Sequence, residues 1–465
     1  MRLHLAFLLS LSCAACRLAD QTGTARAAVG APDTATSAAD TSSAAPADSA
    51  KVQAPTAWST DADLAPRNLH QSWQHDPATT ATVSWATNAK DLKAYTPKVW
   101  YATEAASGAD GAAMPYAAAW TALGAGELYV EGMDDGSGDP MPTYVTWTVE
   151  LTGLQPDTAY VFRAGTWTDF DSKAGTFTAP QLSDIGQFRT APVAGTRKPF
   201  SVVLAGDSRG GTKGIVDNAA RLAAIDANFW IFNGDFTNFG LQSEWDAWLG
   251  AMQPILKQRP LMPVQGNHEV FADMYYAQFA LPIMAGLPTD YYEHGWSLNY
   301  GNVHFVGLDS NTDSTVQDQV PWLGADLEAA RNDPNIDWII AMMHHPAYSA
   351  CTNHGSTDRV QKLWVPLFEK YNVDLVFAGH DHDYERTAPI RAGKTVDPGV
   401  GPVYIVAGGF YSPGYTNGKD WWTAVSSNGD KSDYVHLTID GKKLSLKAYS
   451  GDGNEVLDDF AMTRP

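Results

Sequence analysis

The chain reads as an α/β layered domain preceded by an all-β sandwich, and three observations predict it. From Pro199 onward, short apolar runs alternate with stretches of helical periodicity, the pattern of strands and helices packed in layers. Between about Leu64 and Val193 the pattern is instead one of short β segments split by turn residues. Third, polar blocks stand where apolar runs of the later region end. They are Gly206-Asp207, Gly234-Asp235, Gly266-Asn267-His268-Glu269, Met343-His344-His345-Pro346 and Gly379-His380-Asp381-His382. Carboxylates, an amide and imidazoles delivered to one edge of a sheet form a metal-ligand set.

The elements follow in chain order. Arg2 precedes an apolar stretch, Leu3 to Leu11, too short to span a bilayer, and small residues come after it. Residues 1–16 therefore read as a targeting leader. Ser12-Cys13-Ala14-Ala15-Cys16 resembles a bacterial lipoprotein cleavage site with Cys16 as the lipidated residue, and ordinary cleavage after Ala15 is the alternative. Either reading places the protein outside the cytoplasm: secreted, periplasmic or lipid-anchored. Residues 17–63 are Ala, Thr, Ser, Asp and Pro with almost no aromatic side chain, a composition that forms a flexible linker.

Residues 64–193 make the sandwich. Thr80 to Trp85, Lys98 to Tyr101 and Tyr144 to Leu151 alternate as half-buried strands do. In Leu154 to Arg163, a Pro-containing turn leads to Tyr160 and then an alternating run, a corner in which the Tyr hydroxyl caps the loop. The segment resembles a fibronectin type III-like domain. The loop Met133 to Asp139 reads as a solvated turn or, alternatively, a calcium loop.

Residues 199–465 form the α/β domain. Strands are predicted at Phe200 to Ala205, Phe229 to Phe232, Leu261 to Val264, Trp338 to Met342 and Leu375 to Ala378, one before each polar block. Ile215 to Ile225, Ser243 to Met252, Val316 to Arg331 and Arg359 to Tyr371 read as helices. Ser297 to Leu308 forms a hairpin about Gly301-Asn302, and Tyr434 to Tyr449 a second about Asp440-Gly441.

The formal charge of -21, from 52 acidic and 31 basic residues, would repel a polyanion, so nucleic-acid binding is not expected. A phosphorylated ligand must then be drawn in by something local, such as bound cations. Cys351 is the one cysteine outside the leader and reads as a buried, inert thiol.

Two adjacent cations repel and need a bridging carboxylate, a role that suits Asp235. Asp207 would hold one ion, Asn267 would give a neutral oxygen to the other, and His344, His380 and His382 would give nitrogens. Mixed oxygen and imidazole donors select Zn, Mn or Fe over Mg or Ca. With these residues in this order, the chain resembles the calcineurin-like metallophosphoesterases. Gly379-His380-Asp381-His382-Asp383-Tyr384-Glu385-Arg386 and the preceding sandwich narrow the resemblance to purple acid phosphatase-like proteins. That resemblance implies two mixed β-sheets sandwiched together and flanked by helices, and a dinuclear centre. Asp207, Asp235 and His382 would bind one ion, and Asp235, Asn267, His344 and His380 the other. It further implies hydrolysis of phosphate monoesters by in-line attack of a metal-bound hydroxide. Phosphodiesters or nucleotides are the alternative substrates, and a non-catalytic surface binding protein is the alternative class.

His268 would polarise the phosphoryl group or protonate the leaving oxygen, and His354 matches a substrate-facing histidine of the family. Glu269 either fixes the His268 ring from outside or is an ordinary surface carboxylate. His345 is second to the site or simply packed. Tyr411, Tyr415, Trp421 and Trp422 either rim the pocket or cover a domain seam.

The chain departs from the family at two positions. Asn238 stands where purple acid phosphatases carry the tyrosine that ligates ferric iron, so divalent ions and no tyrosinate-ligated iron are expected, with Asn238 as a possible additional ligand. Asp207 is followed by Arg209 rather than a histidine two positions on; that guanidinium either grips phosphate or pairs with a nearby carboxylate.

Overall fold

The computed structural model describes residues 57–58, 64–88, 95–107, 120–130, 143–168, 178–179, 181–269, 274–427, 429 and 431–464. The leader, the linker up to residue 56 and the loop 133–139 lie outside the described residues.

Two four-stranded sheets make the N-terminal sandwich. One runs in the order Arg67–Ser72, Ala81–Thr87, Thr143–Leu151, Ala125–Val130, the other Gly186–Arg189, Ala159–Thr168, Tyr95–Thr103, Trp120–Leu123. Their inward residues, among them Trp85, Val99, Trp147 and Phe162, close a core of their own. The Tyr160 hydroxyl accepts from the Gln155 amide at 2.9 Å, the corner that the turn before it predicts. Tyr160→Phe should cost about 1 kcal/mol of unfolding free energy in a urea melt, one net hydrogen bond; an unchanged midpoint would assign the corner no energetic role.

The larger domain is built on two mixed sheets. The six-stranded sheet contains, in chain order, β1 (Phe200–Ala205), β2 (Phe229–Phe232), β3 (Leu261–Pro263) and three C-terminal antiparallel strands. The seven-stranded sheet contains β4 (Trp296–Tyr300), β5 (Val303–Leu308), β6 (Trp338–Met343), β7 (Leu375–Ala378), β8 (Tyr384–Thr387), β9 (Val403–Ala407) and β10 (Thr423–Ser427). Side-chain alternation explains the layering. Trp338, Ile340 and Met342 of β6 face the core between the sheets, whereas Ile339, Ala341 and Met343 face the outer core beneath the helix Asp313–Asn332. Strands buried on both faces read as continuous apolar runs, as these do.

Parallel pairing fixes where chemistry collects. β1 pairs with β2, and β2 with β3, in parallel. So do β5 with β6, β6 with β7, and β7 with β9. Within each sheet these strands therefore end on one side, where ligands gather in α/β domains.

Helices form at Thr212–Ala223, which starts three residues before its predicted span and ends two short of it, and at Gln242–Leu256 and Asp313–Asn332, each a few residues longer than its periodic core predicts. Arg359 to Tyr371 differs: it is two helices, Asp358–Leu363 and Val365–Lys370, meeting at Trp364. Pro366 has no N–H to give to residue 362 and its ring crowds that carbonyl, which weakens the ladder at this point, although Pro254 and Pro321 are accommodated within the continuous helices Gln242–Leu256 and Asp313–Asn332.

The sandwich docks on the larger domain through its first strand. Leu69 N donates to Gln253 Oε1 at 3.2 Å, Gln71 Nε2 to Leu256 O at 3.1 Å, and Ser72 Oγ to Ala280 O at 2.7 Å. Trp73, just beyond that strand, is buried in the larger core.

Candidate metal centre

Asp207, Asp235, Asn267, His344, His380 and His382 come together at the carboxyl ends of β1, β2, β3, β6 and β7. Asp207, Asp235 and His380 adopt left-handed backbone conformations, with φ of 60°, 56° and 68°. Such turns cost side-chain-bearing residues free energy and persist where the surroundings over-determine them. Gly379 is a glycine because a Cβ there would meet Asp207 Oδ2 at 2.2 Å.

One ligand atom each from Asp207, Asp235 and His382 lies within 4.8 Å of the others, and all three residues are buried. His382 Nδ1 donates to Pro413 O at 2.7 Å. Its Nε2 is then the lone-pair nitrogen of the neutral ring, and it faces Asp207 Oδ1 at 3.7 Å. That oxygen is buried with no hydrogen-bond partner. Asp207 Oδ2, by contrast, accepts from His380 N at 2.9 Å.

A second group repeats the arrangement. His344 Nδ1 donates to Asn233 O at 2.8 Å, so its Nε2 also presents a lone pair. That Nε2 stands 2.9 Å from Asn267 Oδ1, 3.3 Å from Asp235 Oδ1 and 3.3 Å from His380 Nδ1. In each group a lone-pair nitrogen faces a carboxylate oxygen in a dry site, an arrangement a cation resolves and a bare chain does not. The residues present fit two metal ions sharing Asp235.

Protonation does not supply the missing positive charge. Burial is the main cause lowering His344 and His380, and it brings His382 down to about 4. Burial first, and then the Asp235 charge, push the Asp207 carboxyl well above the usual range. The imidazoles are kept neutral, as metal ligands must be, and the Asp207 carboxyl would release its proton to an ion that binds.

Supporting residues divide into those the sequence named and those it did not. Glu269 is fully buried, which removes the surface reading. It does not fix the His268 ring either. Its oxygens accept from Asp235 N at 2.9 Å, Gly266 N at 3.0 Å, Thr237 N at 3.1 Å and Thr237 Oγ1 at 3.0 Å. The His268 ring is held instead by the Asn238 carbonyl, 2.7 Å from Nδ1. The Asn238 side-chain amide lies near Gly210, where an added Cβ would approach its Nδ2 at 3.4 Å. His345 packs: it pairs with Ser310 Oγ at 3.0 Å, and its ring centroid is 4.4 Å from that of His380. The backbone carbonyls of Asn233 and Pro413 orient two imidazoles, and no side-chain signal announces them.

At the mouth, Arg209 Nη1 meets His268 Nε2 at 2.5 Å, its Nη2 donates to the Tyr415 hydroxyl at 3.2 Å, and its Nε lies 4.0 Å from Asp235 Oδ2. His354 is exposed, its ring 4.3 Å from His380 and 5.5 Å from Tyr415. Of the four aromatic candidates only Tyr415 joins the site. Tyr411 turns to Gly451 O at 2.6 Å, while Trp421 and Trp422 pack about Tyr348. Cys351 is buried and unpaired, its thiol pushed by burial up to about 12.

Behind His382 lie more buried acids. Burial, then Glu385, Asp381 and Asp433, push Asp383 up to about 10, and burial raises Asp433 well above its ordinary 3.8. A raised carboxyl keeps its proton in the folded chain where the unfolded chain has released it. Its contribution to stability is full at acid pH and falls as pH rises, by about 1.4 kcal/mol per pH unit per group. Asp433→Asn should remove one such slope, so the variant melts above the parent at pH 8 and the gap closes toward pH 4. Parallel melting curves across that range would contradict the assignment.

Comparison with known proteins agrees with this geometry. A family described as calcineurin-like phosphoesterase matches residues 181–384, and one described as the purple acid phosphatase N-terminal domain matches residues 66–190. The chain is 32% identical over 289 residues to an uncharacterized protein of Mycobacterium tuberculosis, covering 53% of this chain and 51% of that one. It is 30% identical over 296 residues to purple acid phosphatase 23 of Arabidopsis thaliana, covering 56% and 61%. The chain thus spans about half the length of the curated relatives it matches. The structure of a purple acid phosphatase from yellow lupin seeds shares the fold, with a TM-score of 0.71, 19% identity, and coverage of 86% of this chain and 75% of that one. The chain thus carries a purple acid phosphatase N-terminal domain followed by a calcineurin-like phosphoesterase domain, and shares the fold of a purple acid phosphatase.

Proposed function

We propose that this protein is an exported phosphoesterase that hydrolyses phosphate monoesters at a dinuclear centre held by Asp207, Asp235, Asn267, His344, His380 and His382. One observation carries the reading: two groups of lone-pair donors meet on the shared carboxylate of Asp235, beneath a mouth lined by Arg209 and His268. Two divalent transition-metal ions, when bound, supply charge neutralisation and an activated water for phosphoryl transfer. Zn, Mn or Fe suits the donors. The leader at residues 1–16 supports export, with Cys16 as the candidate lipid anchor.

The chain's own residues divide the remaining work. Arg209 cannot give up its charge, so it can hold a phosphoryl oxygen at the mouth. In the resting site it occupies the His268 Nε2 lone pair. An entering phosphoryl group competes for that guanidinium and frees Nε2, which can then take up a proton from water and pass it to the leaving oxygen. His354 is exposed beside His380, a position from which it can contact a bound substrate.

The test is a panel of phosphomonoesters and phosphodiesters after loading with Zn, Mn or Fe. Monoester turnover that Asp235→Asn abolishes together with metal, and that His268→Ala reduces with metal retained, supports the proposal. Better turnover of diesters moves the substrate to that class, and a protein that holds no metal and turns over nothing is a binding protein. With an amide at 238 and the Tyr415 hydroxyl engaged by Arg209, the iron-loaded protein should be colourless. A strong visible charge-transfer band would refute that.

A further inference from the structure

Tyr415 comes from a loop that none of the ligand blocks includes, yet it is fixed more tightly than a rim residue needs. The glycine-rich segment after β9 turns back over the site, and a Cβ on Gly414 would meet the Gly429 carbonyl oxygen at 1.1 Å, so the loop packs backbone on backbone there. Tyr415 N donates to His382 O at 3.0 Å, and its own carbonyl accepts from Gly429 N at 2.9 Å. Its ring stacks on His382, with centroids 4.0 Å apart and planes 7° from parallel, while His354 stands edge-on at 5.5 Å. These contacts fix where the hydroxyl points.

The hydroxyl has one use already. Arg209 Nη2, which can only donate, gives its hydrogen to the phenol oxygen at 3.2 Å. The phenol's own hydrogen is therefore directed elsewhere, toward water or an acceptor that enters the half-buried mouth. Arg209 in turn touches His268 and approaches Asp235. Two donors thus stand together at the mouth on separate loops, the guanidinium of Arg209 and the phenol of Tyr415, beside the His268 ring, whose Nε2 accepts from Arg209.

We propose that Tyr415 is a substrate-contacting residue whose hydroxyl, steered by Arg209, donates to a non-bridging phosphoryl oxygen and selects terminal phosphate groups over diesters. The inference rests on the phosphoesterase reading and deepens it. A terminal phosphoryl group offers three non-bridging oxygens, enough for the centre and the mouth together. A diester offers two, and the ester substituent in the third place meets the Tyr415 ring and the Arg209 fork instead of a donor pair. Unmet polar groups of that kind discriminate strongly between substrates.

The experiment uses the full chain loaded with metal. Tyr415→Phe keeps the stacked ring and removes only the hydroxyl. Metal content and melting temperature should stay at parental values, the affinity for inorganic phosphate should fall about tenfold, and kcat/KM for a phosphomonoester should fall by a similar factor. Turnover of a phosphodiester should stay within about twofold, so the ratio of the two activities shifts. Equal losses on both substrates, or no change in phosphate affinity, overturns the inference. Loss of metal from Tyr415→Phe also overturns it, since the hydroxyl then serves the centre rather than the substrate. Failure of the parent on every phosphoester would sink the underlying reading instead, and the two failures are separable because phosphate binding is measured without turnover.

Discussion

Asp235→Asn should lower turnover about a thousandfold or more and strip metal from the protein, while raising the stability of the metal-free chain. The first effect follows from position. Asp235 Oδ1 stands 3.3 Å from His344 Nε2, and the residue also belongs to the group with Asp207 and His382. Removing its charge weakens both ion sites at once. Several kcal/mol of charge stabilisation is at stake, and each 1.36 kcal/mol is a factor of ten in rate. The second effect has the opposite sign and is more diagnostic. Without cations, Asp235 is the second cause, after burial, of the raised Asp207 carboxyl, so the two acids oppose one another in the folded chain. An amide of the same shape can still accept from His268 N, which lies 3.0 Å from Oδ1, and it ends that repulsion. Metal analysis, turnover and a melt in chelator separate the effects. A variant that keeps both metals and its turnover would sink the shared-carboxylate reading.

How much of this was legible beforehand depends on what kind of signal a residue leaves. The strands of the larger domain were legible because strands buried on both faces leave uninterrupted apolar runs. The ligand blocks were legible because charged and imidazole side chains at the ends of such runs have few other uses. Tyr160 could be read because its corner is local in sequence. Glu269 could not, because the N–H groups it collects lie 3, 32 and 34 residues away and only the fold gathers them. The carbonyls of Asn233 and Pro413 left no trace, since every residue carries one. Tyr415 was one of four aromatic candidates, and nothing in periodicity singles it out from Tyr411, Trp421 and Trp422. The division at Trp364 was not legible from Pro366 alone, since Pro254 and Pro321 lie inside unbroken helices.

Glu269→Ala should cost about 3–5 kcal/mol of stability and prevent the metal centre from assembling. Truncation leaves the amides of Asp235, Gly266 and Thr237 unpaired in a site with no solvent access, and each unmet buried donor costs about 1–3 kcal/mol. The carboxylate is also what holds the turn at Asp235 in its left-handed conformation, φ 56°, which places the shared ligand. Gly266 packs against the same group, since a Cβ there would meet Glu269 Oε2 at 2.8 Å, so a larger residue at 266 should act in the same direction. Glu269→Gln distinguishes structure from charge. It keeps the shape and half of the acceptors but turns an amide donor toward N–H groups that are donors themselves. Partial destabilisation and metal affinity lowered about 10–100-fold are expected, as for other residues that orient a ligand without touching the ion. Thermal melts in chelator report the first quantity, and metal titration reports the second. If Glu269→Ala melted with the parent and still loaded metal, the turn at Asp235 would have to be held by its neighbours alone, chiefly the bond from Ser208 N to Asp235 O at 3.0 Å.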